Sequence, residues 1–337
     1  MIPCRNEDKF IGRVLENVLE QDYPAELMEV FVVDGKSEDQ TAEIIRDFAA
    51  KNNHILYLSN PEKVVPFALN KAIRKSTGSI IVRMDAHSIY PNNYISSLVS
   101  GLKEFNCDNT GGVWITDPGN DSIKARAIAD ATSHPFGIGN AHYRLDIKSP
   151  KKVDTVPYGC YKKEVFDRIG LFDEELVRNQ DDEFNARLIR NGGVIYLLPD
   201  IKIRYFARSS FNKVSKMFYQ YGLYKPLVNL KVGQPATLRQ FVPPLFTLFI
   251  LAFSALGFLH PIFWMALGAG LSLYFLLDIS FSISLTIRKS RPLGEFFPLI
   301  AVFPLIHLSY GYGYLAGIIR FVLLRKSIHH SKVKISR

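Results

Sequence analysis

Residues 30–41 read VFVVDGKSEDQT, an apolar, β-branched run that ends on Asp34 and Gly35 and passes through polar residues to Thr41. The run from Val30 has the unbroken apolar character of a strand covered on both faces, and Gly35 marks its turn. Beyond it, Asp39 and Thr41 precede Ile44, Ile45 and Phe48, which recur as one helix face does. A strand feeding a helix through a short turn is the unit of a parallel sheet covered by helices. The flanks repeat it: Phe10, Ile11, Val14, Leu15, Val18 and Leu19 have helical spacing, HILYLS (54–59) predicts a strand, Pro66 to Lys75 a helix, and SIIVRMDA (79–86) a strand ending at Asp85. The fold class is α/β, of the nucleotide-binding type. The first residues, MIPCRNED, put Pro3 and Arg5 where a leading strand belongs, so the first strand is expected to be truncated to Met1 and Ile2.

The chain has 337 residues and a net charge of +9, but charges thin out after Lys231. Stretches near 241–259, 261–287 and 296–324 are long and apolar enough to span a bilayer. The expected organisation is a catalytic domain over 1–230 and a membrane region over 231–337. The excess positive charge then points to a membrane surface and phosphate-rich ligands, with no nucleic acid partner. No signal peptide is read ahead of the polar residues 5–8, so the N-terminal domain is expected to stay on the cytosolic side. Cys4, Cys107 and Cys160 lack metal-ligand spacing and fit a reducing compartment. The basic RKSRP (288–292) and RKSIHHSKVKISR (325–337) both belong on the cytoplasmic side, which three full spans cannot satisfy. Pro298, Pro304 and the cluster YGYGYLAG weaken the last segment most, so two spans followed by a broken hairpin or an interfacial element are expected.

Several constellations carry chemistry. Asp34 stands at the carboxyl edge of a strand, where open α/β sheets bind ligands; it reads either as a turn acid or as acceptor for a base or ribose. Asp39 is better read as a helix cap. In VRMDAHS, Asp85 and His87 flank Ala86 at a strand end and would project to one face, supplying one hard oxygen and one imidazole for Mg²⁺ or Mn²⁺ against a diphosphate, with Arg83 beside them. In RNQDDEFNARLIRNGG, Asp181, Asp182 and Glu183 open a helix; they either complement its dipole or include a carboxylate that deprotonates an acceptor hydroxyl. FYQYGLYKP gathers aromatics and Lys225 ahead of the first apolar segment, as an interfacial belt or as a lid that brings Lys225 to the diphosphate.

PCRNE, VVDGKSEDQT, RMDAH, PYGCYKKEVFDRIGLFDE and NQDDEFNARL stand in the order and approximate spacing of family-2 glycosyltransferases of the GT-A fold. The chain resembles most the branch that makes succinoglycan and similar exopolysaccharides, where Asp-Ala-His replaces Asp-X-Asp. The resemblance covers about residues 1 to 230 and implies a Rossmann-like, mostly parallel sheet followed by transmembrane helices. It implies that Pro3 and Asp34 hold the nucleoside of a UDP-sugar or similar donor, and that Asp85 and His87 stand at the diphosphate and bind the divalent cation; Arg5, Arg83 and Lys225 are read from the residues as further donor-binding candidates. Asp181 matches the general base, with Asp182 as alternative because the preceding Glu is Gln180. Tyr158, Gly159 and Cys160 match the loop lining the acceptor pocket. Residues 220–225 do not reproduce the processive Gln-X-X-Arg-Trp motif, which implies addition of one sugar. The implied enzyme inverts configuration in a single displacement, acts on a lipid-linked or saccharide acceptor, and sits as a multi-pass protein in a bacterial cytoplasmic membrane. SHPFGIGNAHYR (133–144) also resembles this branch; its His134 and His142 are read as structural. The competing readings are a nucleotidyltransferase, for which PCRNED lacks a glycine-rich phosphate loop, and a membrane transport or scaffold protein, for which the apolar segments lack paired repeats and only the acid Asp278 stands out.

Overall fold

The structure, a computed structural model, describes residues 1–235 and 237–326. The described residues form two compact units: Met1–Ile115 with Leu145–Tyr205, and Thr116–Arg144 with the chain from Phe206 to Lys326. Residues 116–144 and 206–230, which the sequence reading gives to the first domain, therefore cluster with the apolar helices. The physical reason is a shared core, in which Ala127, Ile128, Val214, Met217 and Phe218 pack with Leu299, Val302, Phe303 and Ile306.

The first unit begins β1 (Ile2–Cys4), α1 (Ile11–Leu19), β2 (Val30–Asp34), α2 (Thr41–Lys51) and β3 (Ile55–Ser59). It continues with α3 (Val65–Lys75), β4 (Ile80–Val82), β5 (Ser88–Ile89), α4 (Tyr94–Glu104) and β6 (Asn109–Asp117). After α5 (Ile123–Ala131) and α6 (Pro135–Ile138), which belong to the second unit, come β7 (Lys151–Lys152), β8 (Cys160–Lys162), α7 (Glu164–Ile169), α8 (Gln180–Arg190) and β9 (Ile195–Phe206). Strands β1, β2 and β3 form a parallel sheet in that order. A second sheet runs β4-β8-β6-β9-β5, with antiparallel pairing of β8 to β4 and β6 and of β9 to β5 and β7. Helix α1 buries Ile11, Val14, Leu15 and Val18 beside β-strand residues Ile2, Val30 and Val32 in one core, as its 3.6-residue spacing requires.

Two expectations change. Strand β1 runs further than the expected Met1 and Ile2: Ile2, Pro3 and Cys4 pair in register with Val32, Val33 and Asp34. Pairing goes round the proline, which has no N–H, because the Gly35 amide donates to the Cys4 carbonyl at 2.8 Å and the Met84 amide to the Met1 carbonyl at 3.0 Å. The strand read as ending at Asp85 stops at Val82. Beyond it the Asp85 amide donates to the Tyr90 hydroxyl at 2.5 Å, and the Asp85 carboxylate accepts from the Ala86 amide at 2.8 Å, so side chains replace ladder partners and the chain turns.

The second unit adds α9 (Phe211–Val232), α10 (Val242–Leu256), α11 (Pro261–Arg288) and α12 (Phe296–Gly317), the last continuing as a π-helical turn over Ile318–Leu323. Three helical stretches, Leu238–Leu256, Pro261–Arg288 and Leu293–Leu323, are long and apolar enough to cross a membrane. Leu248, Leu251, Met265, Leu273 and Leu276 lie exposed along α10 and α11, a surface suited to lipid and not to water. The basic 288–292 loop is held to α5: Lys289 Nζ and Arg291 Nε meet the buried Asp130 carboxylate at 2.5 and 3.2 Å, and Arg126 Nε meets the buried Glu295 at 2.5 Å. The tail from residue 327, read as cytoplasmic, lies outside the described residues.

The expected break in the third segment is not found, and the glycine cluster has another purpose. A Cβ at Gly222 of α9 would lie 2.1 Å from the Tyr310 carbonyl oxygen, and one at Gly313 of α12 would lie 2.1 Å from that of Tyr219. The small residues thus let α9 and α12 meet backbone to backbone. Gly222→Ala is expected to lower stability by about 3 kcal/mol, since a backbone atom cannot yield as a rotamer can. Gly268→Ala, where nothing lies within 4 Å, is expected to leave the thermal midpoint in detergent unchanged or slightly raised. Equal midpoints for the two variants would sink the close-approach argument.

Candidate active site

The chemistry-bearing residues of the first unit meet where β1, β2 and β4 end and α8 begins. Asp34 closes β2, is 2% exposed, and accepts from Ser37 Oγ at 2.5 Å and from the Tyr57 hydroxyl at 3.4 Å. Ser37 Oγ in turn accepts from the Asn6 amide at 2.8 Å, so the β2 turn and the segment after β1 are joined. Pro3 is buried within β1, and Arg5 reaches Glu38 across this turn at 3.7 Å. Asp39, read as the helix cap, stands one residue ahead of Gln40, the N-cap of α2; its carboxylate accepts from the Thr41 amide at 3.0 Å and from the Asp8 amide at 3.3 Å.

Next along the edge, the Glu7 amide donates to Thr41 Oγ1 at 2.7 Å, and the Glu7 carboxylate lies 3.6 Å from His87 Nδ1. The same nitrogen is 3.2 Å from Asp85 Oδ1. Asp85 and His87 are therefore brought together by a turn and not by strand alternation. Their side chains are 22% and 30% exposed. Among the described residues no group of three or more His, Cys, Asp or Glu is arranged to hold a metal ion. One carboxylate and one imidazole nevertheless fit a hard cation whose remaining ligands are phosphate oxygens and water. Glu7 escaped the sequence reading although PCRNE was singled out; its proximity to His87 depends on a long-range contact that spacing does not reveal.

Arg83 links this pair to α8. Its side chain is 5% exposed and Nη1 donates to Asp181 Oδ1, whose side chain is 30% exposed. Burial works against the Arg83 charge, but the Asp181 and Asp85 carboxylates outweigh it and hold the guanidinium protonated above its ordinary value. Desolvation lifts the Asp181 carboxyl above its ordinary value; Arg83 pulls the other way, and Asp182 and Asp85 add to the rise. A carboxyl raised toward neutrality is suited to accept a proton.

Helix α8 sorts its acids by partner. Asn179, left-handed at φ 59°, turns the chain into the helix, and the buried Phe184 and Leu188 fix its rotation. Glu183 is 3% exposed and pairs with Arg187 at 2.6 Å, while Arg187 Nη2 donates to the Leu171 carbonyl at 2.8 Å; this acid tethers the preceding loop. Asp181 is the acid that meets Arg83, and Asp182 is partly exposed beside it.

Tyr158 is 5% exposed with φ 49°; Arg83 lies 5.8 Å from its ring centroid, and Trp114 packs at 5.5 Å from it. At Gly159 a Cβ would fall 2.5 Å from Asn109 Oδ1, so only glycine fits. The Cys160 side chain is fully buried in the core, where desolvation pushes its thiol up, so it offers no surface to a ligand. Lys225 sits within α9 of the second unit, 9% exposed, and residues 220–225 form helix, not a lid loop. His134 caps α6 through Nδ1, which accepts from the Phe136 amide at 3.2 Å, a structural use.

Residues 1–170 match the family described as Glycosyl transferase family 2. Over 326 residues the chain is 29% identical to the dolichyl N-acetyl-alpha-D-glucosaminyl phosphate 3-beta-D-2,3-diacetamido-2,3-dideoxy-beta-D-glucuronosyltransferase of Methanococcus voltae, covering 95% of this chain and 96% of that protein. It is 26% identical over 324 residues to the succinoglycan biosynthesis protein ExoA of Rhizobium meliloti (strain 1021), covering 95% and 94%. Among solved structures, the mannosyltransferase PcManGT from Pyrobaculum calidifontis in complex with GDP-Man and Mn²⁺ aligns with a TM-score of 0.57 at 18% identity, over 94% of this chain and 85% of that one. S. aureus TarS in complex with UDP aligns at 0.51 with 17% identity, over 93% and 90%. Fold neighbours of the GT-A type and relatives along nearly the whole length agree with the motifs: the chain belongs to glycosyltransferase family 2 and is an enzyme acting on a nucleotide sugar.

Proposed function

We propose that this enzyme is a membrane-attached, inverting glycosyltransferase that adds one sugar to a lipid-linked saccharide at the cytosolic face of the membrane. The observation that carries the reading is the junction of Asp85, His87, Arg83 and Asp181 at one sheet edge, with Asp34 and Glu7 joined to it. Pro3, Arg5 and Asp34 are assigned to the nucleoside, and Arg83 to the diphosphate. Asp85 and His87 would hold a divalent cation, which when bound screens the charge that grows on the departing nucleoside diphosphate. Asp181 takes the proton of the acceptor hydroxyl as its oxygen bonds to the anomeric carbon. The bond from that carbon to the phosphate oxygen breaks, and its electron pair leaves with the nucleoside diphosphate. Tyr158 and Gly159 are assigned to the acceptor side.

Support for a lipid-linked acceptor comes from two directions. The three apolar helices fit membrane association. The Methanococcus voltae relative carries a dolichyl phosphate-linked sugar in its name, and the Rhizobium meliloti relative is named for succinoglycan biosynthesis. The experiment is to incubate membranes containing the protein with radiolabelled nucleotide sugars and polyprenyl-linked saccharide acceptors. One label should move into the organic-soluble product, lengthening it by a single residue. Label appearing only in free sugar or in water-soluble saccharide, across the panel, would overturn the acceptor assignment.

A further inference from the structure

Arg83 is poorly matched to the groups around it. A guanidinium offers five N–H donors in a planar fork, and Arg83 is 4% exposed. Nη1 serves Asp181, the ring of Tyr158 lies 5.8 Å from the guanidinium carbon, and Nε is buried with no hydrogen-bond partner. Leaving a buried charged donor unmet is unfavourable, so the fork is built for a further acceptor. Asp85, two residues along the chain, marks the direction of the diphosphate in the proposed site, and paired phosphate oxygens are what an arginine fork takes best.

We infer that the donor diphosphate and the Asp181 carboxylate compete for Arg83, so that the base is released from its ion pair only when a donor is in place. This rests on the assignment of Asp181 as base and of Arg83 and Asp85 to the diphosphate. Without donor, Arg83 occupies the carboxylate that an acceptor hydroxyl or a water would need. With donor bound, the guanidinium turns its fork to the phosphates and Asp181 is left for the acceptor. Donor therefore binds before acceptor activation, and Arg83 acts as a positioning residue for Asp181.

The test is calorimetric titration of the full-length, detergent-solubilised chain with UDP and with GDP at fixed Mn²⁺, using whichever binds more tightly. Asp181→Asn removes the competitor and should tighten nucleoside diphosphate binding by about threefold to tenfold. Asp182→Asn makes the same charge change one residue away, off Arg83, and should alter affinity by less than about twofold. Unchanged or weakened binding by Asp181→Asn, or equal tightening in both variants, would overturn the inference, the latter because it reports general repulsion. In an Arg83→Gln background, checked for folding by circular dichroism, the Asp181→Asn effect should vanish; persistence there also overturns it. Turnover of Asp181→Asn separately tests the base assignment, so the two failures are told apart.

Discussion

Asp181→Asn is expected to lower kcat by about 10²- to 10⁴-fold while leaving the donor KM unchanged or reduced. The amide keeps the volume of the carboxylate and can still face Arg83, but it cannot take a proton. The loss should therefore fall on the chemical step. Asp182→Asn, without the Arg83 contact, is expected to stay within about threefold of the parent, as a partly exposed charge does. Because burial raises Asp181 above its ordinary value, the acid limb of the kcat profile should be displaced upward from that of an ordinary aspartate. Activity then falls as pH drops through it, since the protonated form is no base. Turnover retained in Asp181→Asn and lost in Asp182→Asn would exchange their roles.

The sequence made the scaffold legible wherever local periodicity and burial agree. The strand Val30–Asp34 and the helices from Ile11, Thr41, Val65 and Gln180 fall where apolar spacing puts them. Legibility failed where long-range partners decide. The 83–87 stretch has strand composition, yet the Tyr90 hydroxyl captures the Asp85 amide and turns the chain. Residues 116–144 and 206–230 have the composition of a soluble domain, but their apolar faces are completed by α12. YGYGYLAG reads as helix-weakening until Gly222 and Gly313 are seen against facing backbone. In the site, residue types and order were enough to nominate Asp34, Asp85, His87 and Asp181. The contacts of Glu7 with His87 and of Arg83 with Asp181 span 80 and 98 residues respectively, beyond the reach of any local pattern.

Asp85→Ala is expected to remove cation-dependent donor turnover, a loss of about 10³-fold, because stabilising the leaving diphosphate is a matter of several kcal/mol. His87→Ala should be nearly as damaging, since imidazole and carboxylate stand 3.2 Å apart as one donor set. Glu7→Gln should cost less, about 10-fold, because its carboxylate lies 3.6 Å from His87 Nδ1 and would orient that ring from behind. The graded series matters more than any one value. A direct ligand, a co-ligand and an orienting neighbour should rank in that order for Mn²⁺-dependent rate. Chelation should silence the parent, and added Mn²⁺ or Mg²⁺ should restore it but not Asp85→Ala. Parent activity that survives chelation, or full activity in both Asp85→Ala and His87→Ala, would remove the cation from this edge. Arg83 would then be left as the principal cationic partner assigned to the diphosphate, and Asp85, adding its negative charge beside that arginine, would instead be expected to hinder donor binding.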